Sequence, residues 1–205
     1  MVVQINGAVQ SLVGYLMFRI ANRREEIYNY FHQSSACQQF FFATDQEERY
    51  AAYYTSIYLL QDTTESLMAH SNKGFSSDPF EAYIEFWGVM QALFIQQDSI
   101  SELHEVVTGS PLQTNNLIAW QSLRTVRNIC AGHPAKKDHP KDSPISRTFM
   151  GRKFGGYSAI TYEQWQSGGS ISHPTVQLGA LIDSYATEAE AQLAVVLQLM
   201  KEQWP

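Results

Sequence analysis

Cysteine is scarce. Cys37 and Cys130 are the two in 205 residues, too few for a disulfide framework. Both read as reduced thiols of a cytoplasmic protein, and Cys130, on an apolar stripe, as an inert buried one. Cys-x-x-Cys, His-Glu-x-x-His and clustered Asp are all missing, so no metal site is expected; His133 and His139 with Asp138 make a poor candidate. Gly151 to Gly156 lacks the strand, helix and Lys-Ser/Thr context of a phosphate loop, and no cofactor is implied. Long hydrophobic runs are lacking too. Leu12 to Phe18 is too short for a membrane span, and with no basic residues before it makes a poor signal peptide. No repeat or low-complexity tract occurs. An excess of positive charge is also missing: the formal charge is −6, which argues against a general nucleic-acid binder.

The distribution of charge argues differently. Arg124, Arg127, Lys136, Lys137, Lys141, Arg147, Arg152 and Lys153 are opposed only by Asp138 and Asp142 over that stretch. Such a local basic field suits a polyanion, and a solvated loop is the competing reading. Arg124, Lys136, Lys137, Lys141, Arg152 and Lys153 are the candidate RNA contacts.

Apolar spacing predicts an all-α chain in one domain, residues 1–205. The first helix runs from about Gln4 to Phe31. A second starts near Thr44 or Asp45 and runs towards Met68; its tyrosines read as packing residues. Asp78-Pro79 starts a third, with Asp as N-cap and Pro at N1. That helix is apolar nearly all round from Phe80 to Ile95, which predicts a position that is central or lies between two partners. Gln96-Gln97-Asp98 follow in the same period, and Gln97 or Asp98 is a candidate to line the site near Arg127. A fourth helix begins near Asn115. Residues 134–171 read as a loop or hairpin insertion, with Arg147 to Met150 pairing to Tyr157 to Tyr162. Ser172-His173-Pro174 opens the closing helix, with Pro at or near N1.

The fourth helix carries the chemistry. Ala119, Leu123, Val126 and Cys130 form one apolar stripe. Asn128 lies roughly opposite that stripe and Arg127 near its edge. Gly132 is predicted as the C′ residue and Pro134 as the stop, leaving His133 at the helix C-terminus. Arg127-Asn128-Ile129-Cys130-Ala131-Gly132-His133 resembles the signature of the HEPN superfamily, the higher eukaryotes and prokaryotes nucleotide-binding domain. That signature is Arg, usually a polar residue, then His after four to six positions. The commonest form has three residues between Arg-Asn and His; here there are four. On a straight helix Arg127 and His133 stand about 120° apart.

The resemblance implies an up-and-down bundle of four to five helices, with a small irregular or β-hairpin insertion before the last. It implies a homodimer whose two motifs share one composite site. It also implies metal-independent endoribonuclease activity, often in toxin–antitoxin or phage-defence systems, with an antitoxin or a minimal nucleotidyltransferase as possible partner. RNA cleavage by its own 2′-OH needs a base, an acid and charge on the phosphorane oxygens. His133 is the candidate acid–base group, Arg127 the phosphate clamp, and Asn128 the group that orients them. The alternative is a non-catalytic dimeric helical module that binds a partner protein or nucleotide.

Overall fold

The computed structural model describes residues 2–135 and 145–205, with side chains from residue 17 onward. The described chain is mostly helical. Its helices are α1 (Val2–Gln33), α2 (Ser35–Phe41), α3 (Glu47–Lys73), α4 (Pro79–Thr108), α5 (Ile118–Arg127) and α6 (Leu178–Gln203). The short helix α2 lies between the first two expected helices, and its start is capped by the Ser34 hydroxyl accepting from the Cys37 N–H at 3.1 Å. Thr44 to Gln46 form a 3-10 turn that leads into α3. Asp78 caps α4 as expected: one carboxylate oxygen accepts from the Phe80 and Glu81 N–H groups at 2.9 and 3.0 Å. The helix then runs unbroken through Gln96, Gln97 and Asp98 to a left-handed Gly109. No helix among the described residues is long and apolar enough to cross a membrane.

α1 packs on α3 and α6, and α4 on α3 and α6, so these four enclose the core; α5 leans on α4 and α6. Ile20, Ile27, Leu60, Phe86, Ile182, Tyr185 and Leu193 are fully buried there. Three elements are tied by polar groups inside it. The Gln96 amide donates to Thr64 Oγ1 at 2.8 Å, and the Tyr185 hydroxyl donates to Gln96 Oε1 at 2.9 Å. With both ends of Gln96 bonded, α3, α4 and α6 meet without an unsatisfied amide.

α4 is not covered on every side. Phe86, Met90 and Leu93 face the core, whereas Phe80, Ile84 and Trp87 are 62%, 69% and 45% exposed. Its apolar character therefore serves two surfaces, of which the described chain covers one.

The insertion differs from the expected hairpin. β1 (Ser146–Phe149) pairs with β3 (Glu163–Gln166), not with Tyr157 to Tyr162, and β3 pairs with β4 (Ser170–Ser172). β2 (Ile160–Thr161) pairs with β5 (Thr175–Val176). All pairings are antiparallel. The reason is burial: Tyr157, Ile160 and Tyr162 are sequestered, and Phe154 packs against Phe75, Tyr83 and Phe86. That segment anchors the insertion to the bundle and is not free to flank β1. Gly155 permits this path. Its φ is +112°, and a Cβ there would lie 2.0 Å from the Ala159 carbonyl oxygen. The closing helix also starts later than expected. Pro174 precedes β5, where its carbonyl accepts from the Tyr162 N–H at 3.2 Å, and α6 begins at Leu178.

Candidate active site at the end of α5

α5 begins without a side-chain cap of its own, since Leu117 stands at its N-cap. Glu188 of α6 supplies one. Its two carboxylate oxygens accept from the Ala119 and Trp120 N–H groups at 3.0 and 2.8 Å. A carboxylate at a helix N-terminus satisfies donors that the helix leaves open and complements its dipole. At the other side of this turn, the Gln97 amide donates to the Trp120 carbonyl at 3.0 Å. Ala119, Trp120, Leu123, Val126 and Cys130 are buried, so the apolar stripe faces the bundle as expected. Burial pushes the Cys130 thiol up to about 12 and the Cys37 thiol likewise to about 12; both stay protonated and unreactive near neutral pH.

α5 does not stop as a simple C′ glycine would have it. From Asn128 to Gly132 the helix widens into a π turn, closed by the His133 N–H donating to the Asn128 carbonyl at 2.9 Å. Gly132 is not among the glycines with positive φ; the five-residue bond, not a left-handed residue, ends the helix. Glycine leaves clearance here for the Arg127 side chain in its present position. A Cβ on Gly132 would lie 2.8 Å from Arg127 Nη1 and 3.5 Å from Asn128 Oδ1.

Arg127 occupies the space so left. Nη1 donates to Asn128 Oδ1 at 3.1 Å, Nη2 donates to Gln91 Oε1 at 3.1 Å, and the guanidinium lies 4.2 Å from the Phe94 ring centre. His133 is exposed at the turn's end. Asn128 thus orients Arg127 directly. The two remaining sequence candidates lie elsewhere. α4 and α5 run antiparallel, so Gln91 and Phe94 face Arg127, while Gln97 and Asp98 fall further along, beside Trp120 and Arg124. Gln97 is buried, and Asp98 forms an ion pair with Arg124, which also lies over Phe94 at 4.4 Å. Arg124 therefore has its charge matched within the protein. Arg152 and Lys153 are exposed, with Arg152 5.3 Å from the Phe80 ring centre. Lys136, Lys137 and Lys141, with Asp138 and His139, lie outside the described residues.

Gln91, Phe94 and Glu188 shape this site and were not singled out from the sequence; Gly132 was, but as a helix stop and not for the room it leaves Arg127. Gln91 and Phe94 are one turn apart on α4, but nothing local indicates which residue of α5 they meet. Among the described residues no three His, Cys, Asp or Glu side chains cluster as metal ligands do. No family model, curated protein or solved structure matches the chain.

Proposed function

We propose that the chain is a metal-independent endoribonuclease of the HEPN type, acting as a homodimer. The observation that carries this reading is the Arg127 guanidinium, held over Phe94 between Gln91 and Asn128 one π turn before an exposed His133. A π turn holds one residue more than an α turn and recurs at functional sites. One residue is also the amount by which this motif exceeds the commonest HEPN spacing, so the widened turn offers a physical way to absorb it. Among the described residues two of Arg127's five N–H groups are bonded, to Asn128 and Gln91, and the others are the ones proposed to meet a phosphate. In the proposed reaction His133 takes the 2′-OH proton, the 2′-oxygen attacks phosphorus, and the 5′-oxygen leaves with a proton from the second imidazole of the dimer. Arg127 stabilises the negative charge that builds on the non-bridging oxygens.

The homodimer has its own support. Phe80, Ile84, Trp87 and Gln91 step by four, three and four along α4, an exposed seam that ends at the Arg127 contact. A second copy packed there would bring two motifs close together.

Cleavage of mixed RNA in EDTA tests the reading. His133→Ala should lower the rate about 10²–10⁴-fold, Arg127→Ala on a similar scale, and Asn128→Ala less. The products should carry 2′,3′-cyclic phosphate and 5′-hydroxyl ends. Full activity after His133→Ala, or loss of activity in EDTA, refutes the mechanism. A dimer that cuts nothing returns the chain to the alternative, a non-catalytic helical module.

A further inference from the structure

The insertion presents a second surface that the motif does not use. Across β1, β3 and β4 the register places Arg147 opposite Trp165 and Trp165 opposite Ile171. Directly opposed residues share a face, and alternation along β1 adds Phe149 to it. Phe149 is 63% exposed, Trp165 48% and Ile171 48%, and Arg147 is exposed as well. The opposite face of β1 differs: Ser146 is buried and Thr148 half-buried. Three strands thus turn two aromatic rings, an isoleucine and an arginine outward together.

The insertion as a whole is locally basic. Residues 145–176 carry Arg147, Arg152 and Lys153 against Glu163 alone, in a chain whose formal charge is −6. Glu163 shares the outer face, opposite Phe149. Its carboxylate accepts from the Trp165 indole N–H and from His173 Nε2, the latter at 3.2 Å. A bond at the edge of the indole steadies the ring without covering its faces. Of those cations Arg147 is the one on the face itself, beside the exposed rings; bases stack on aromatic planes while such an arginine meets the phosphates.

The sheet is also continuous with the candidate site. β1 packs against the π turn, and the Thr148 N–H donates to the carbonyl of Pro134, the residue after His133, at 2.8 Å. Arg147 and Phe149 stand about 3.4 Å along the strand on either side of that bond.

We propose that the outer face of the β1-β3-β4 sheet, built by Arg147, Phe149, Trp165 and Ile171, is a stacking platform that holds single-stranded RNA beside the Arg127/His133 turn. This rests on the ribonuclease reading, because it supplies the surface that feeds that site. Trp165 is the stacking residue and Arg147 the phosphate contact.

The test is binding of a labelled, fully 2′-O-methylated single strand of about ten nucleotides, a length one such surface can hold and which cannot cleave itself. Trp165→Ala should weaken binding by roughly 5- to 150-fold, and Trp165→Phe should restore most of it. On the same strand without bases, Trp165→Ala and wild type should bind alike. Arg147→Ala should reduce the log–log salt slope by about 0.7. Equal affinity of Trp165→Ala and wild type overturns the platform, and if unmodified RNA is still cut, the ribonuclease reading stands without it. Trp165-dependent binding with no cleavage of unmodified RNA sustains the platform and removes the nuclease. No binding by wild type overturns the platform, and cleavage of unmodified RNA then decides the ribonuclease reading separately. Light scattering in which Trp165→Ala abolishes self-association, with RNA affinity unchanged, makes the face a protein interface and overturns the proposal.

Discussion

Arg127 shows how little room the proposed phosphate-binding side chain is left. Its guanidinium is fixed by Gln91, Asn128 and the face of Phe94, and a Cβ on residue 132 would crowd it there. Gly132→Ala should therefore displace Arg127 and lower RNA cleavage by up to about 10²-fold, the cost of a misplacement on the order of 1 Å. The thermal midpoint should stay near that of wild type, since the nearest atoms to the added methyl belong to the Arg127 and Asn128 side chains. Single-turnover kinetics beside a thermal melt separate these effects; a wild-type rate in the alanine variant would show that Arg127's position is not used. A different residue makes stability depend on pH. Desolvation lowers the His70 pKa from its usual value and outweighs the Glu85 carboxylate, whose Oε2 lies 3.8 Å from Nε2. The other ring nitrogen, Nδ1, is 2.7 Å from the Tyr157 hydroxyl, and burial keeps that phenol protonated. The unfolded chain thus binds the His70 proton at a higher pH than the folded chain does. The stability gained from a neutral His70 is complete above the unfolded value of about 6.5 and is lost as pH falls below it. Urea midpoints at pH 7.5 and pH 5.5 (about one unit on either side of that value) should differ less in His70→Gln than in wild type.

At the scale of elements, α5 depends on a residue that is not its own. Its first turn is capped by Glu188 from α6, so the helix carrying the motif is registered against the closing helix and not by a local Ser, Thr or Asp. Glu188→Ala leaves two N–H groups without acceptors and should cost about 0.5–2 kcal/mol, the range of a lost N-cap. Glu188→Gln keeps one acceptor and should cost less. Chemical denaturation measures both, and an unchanged midpoint in the alanine variant would mean that water replaces the cap at no cost. α4 offers the opposite test. Gly88 is exposed in its interior, and a Cβ there would meet nothing within 4 Å. Gly88→Ala should raise stability by about 0.5–1 kcal/mol through reduced backbone entropy in the unfolded chain.

For the whole molecule, the bundle leaves the Phe80, Ile84 and Trp87 side of α4 open. A dimer built there needs those side chains, whereas the fold of one chain does not. Ile84→Arg with Trp87→Arg should give a monomer by light scattering with wild-type circular dichroism. RNA cleavage should fall with it, because each monomer keeps one imidazole for steps that use two. An unaltered dimer in this variant would move the interface elsewhere. Light scattering and the cleavage assay must be run at one protein concentration, since assembly is set by mass action.

What the chain order determined alone is what neighbours within a turn decide. Asp78 before Pro79 caps α4 because its carboxylate reaches N–H groups two and three residues on. Ala119, Leu123, Val126 and Cys130 bury one side of α5 because their spacing matches the helical period. The same local rules put Arg127 and His133 at a helix end before a small sheet insertion. Tertiary structure decided the rest. Glu188 reaches the α5 N-terminus across 69 positions, and Gln91 meets Arg127 across 36; no period or propensity encodes such pairings. Burial of Tyr157, Ile160 and Tyr162 redirected β1 to β3 and moved the start of α6 beyond Pro174. The π turn was likewise invisible, because local signals mark where a helix ends and not how wide its last turn is. Composition left open whether α4 is central or lies between two partners, since a residue's hydrophobicity does not say whether its cover comes from the same chain.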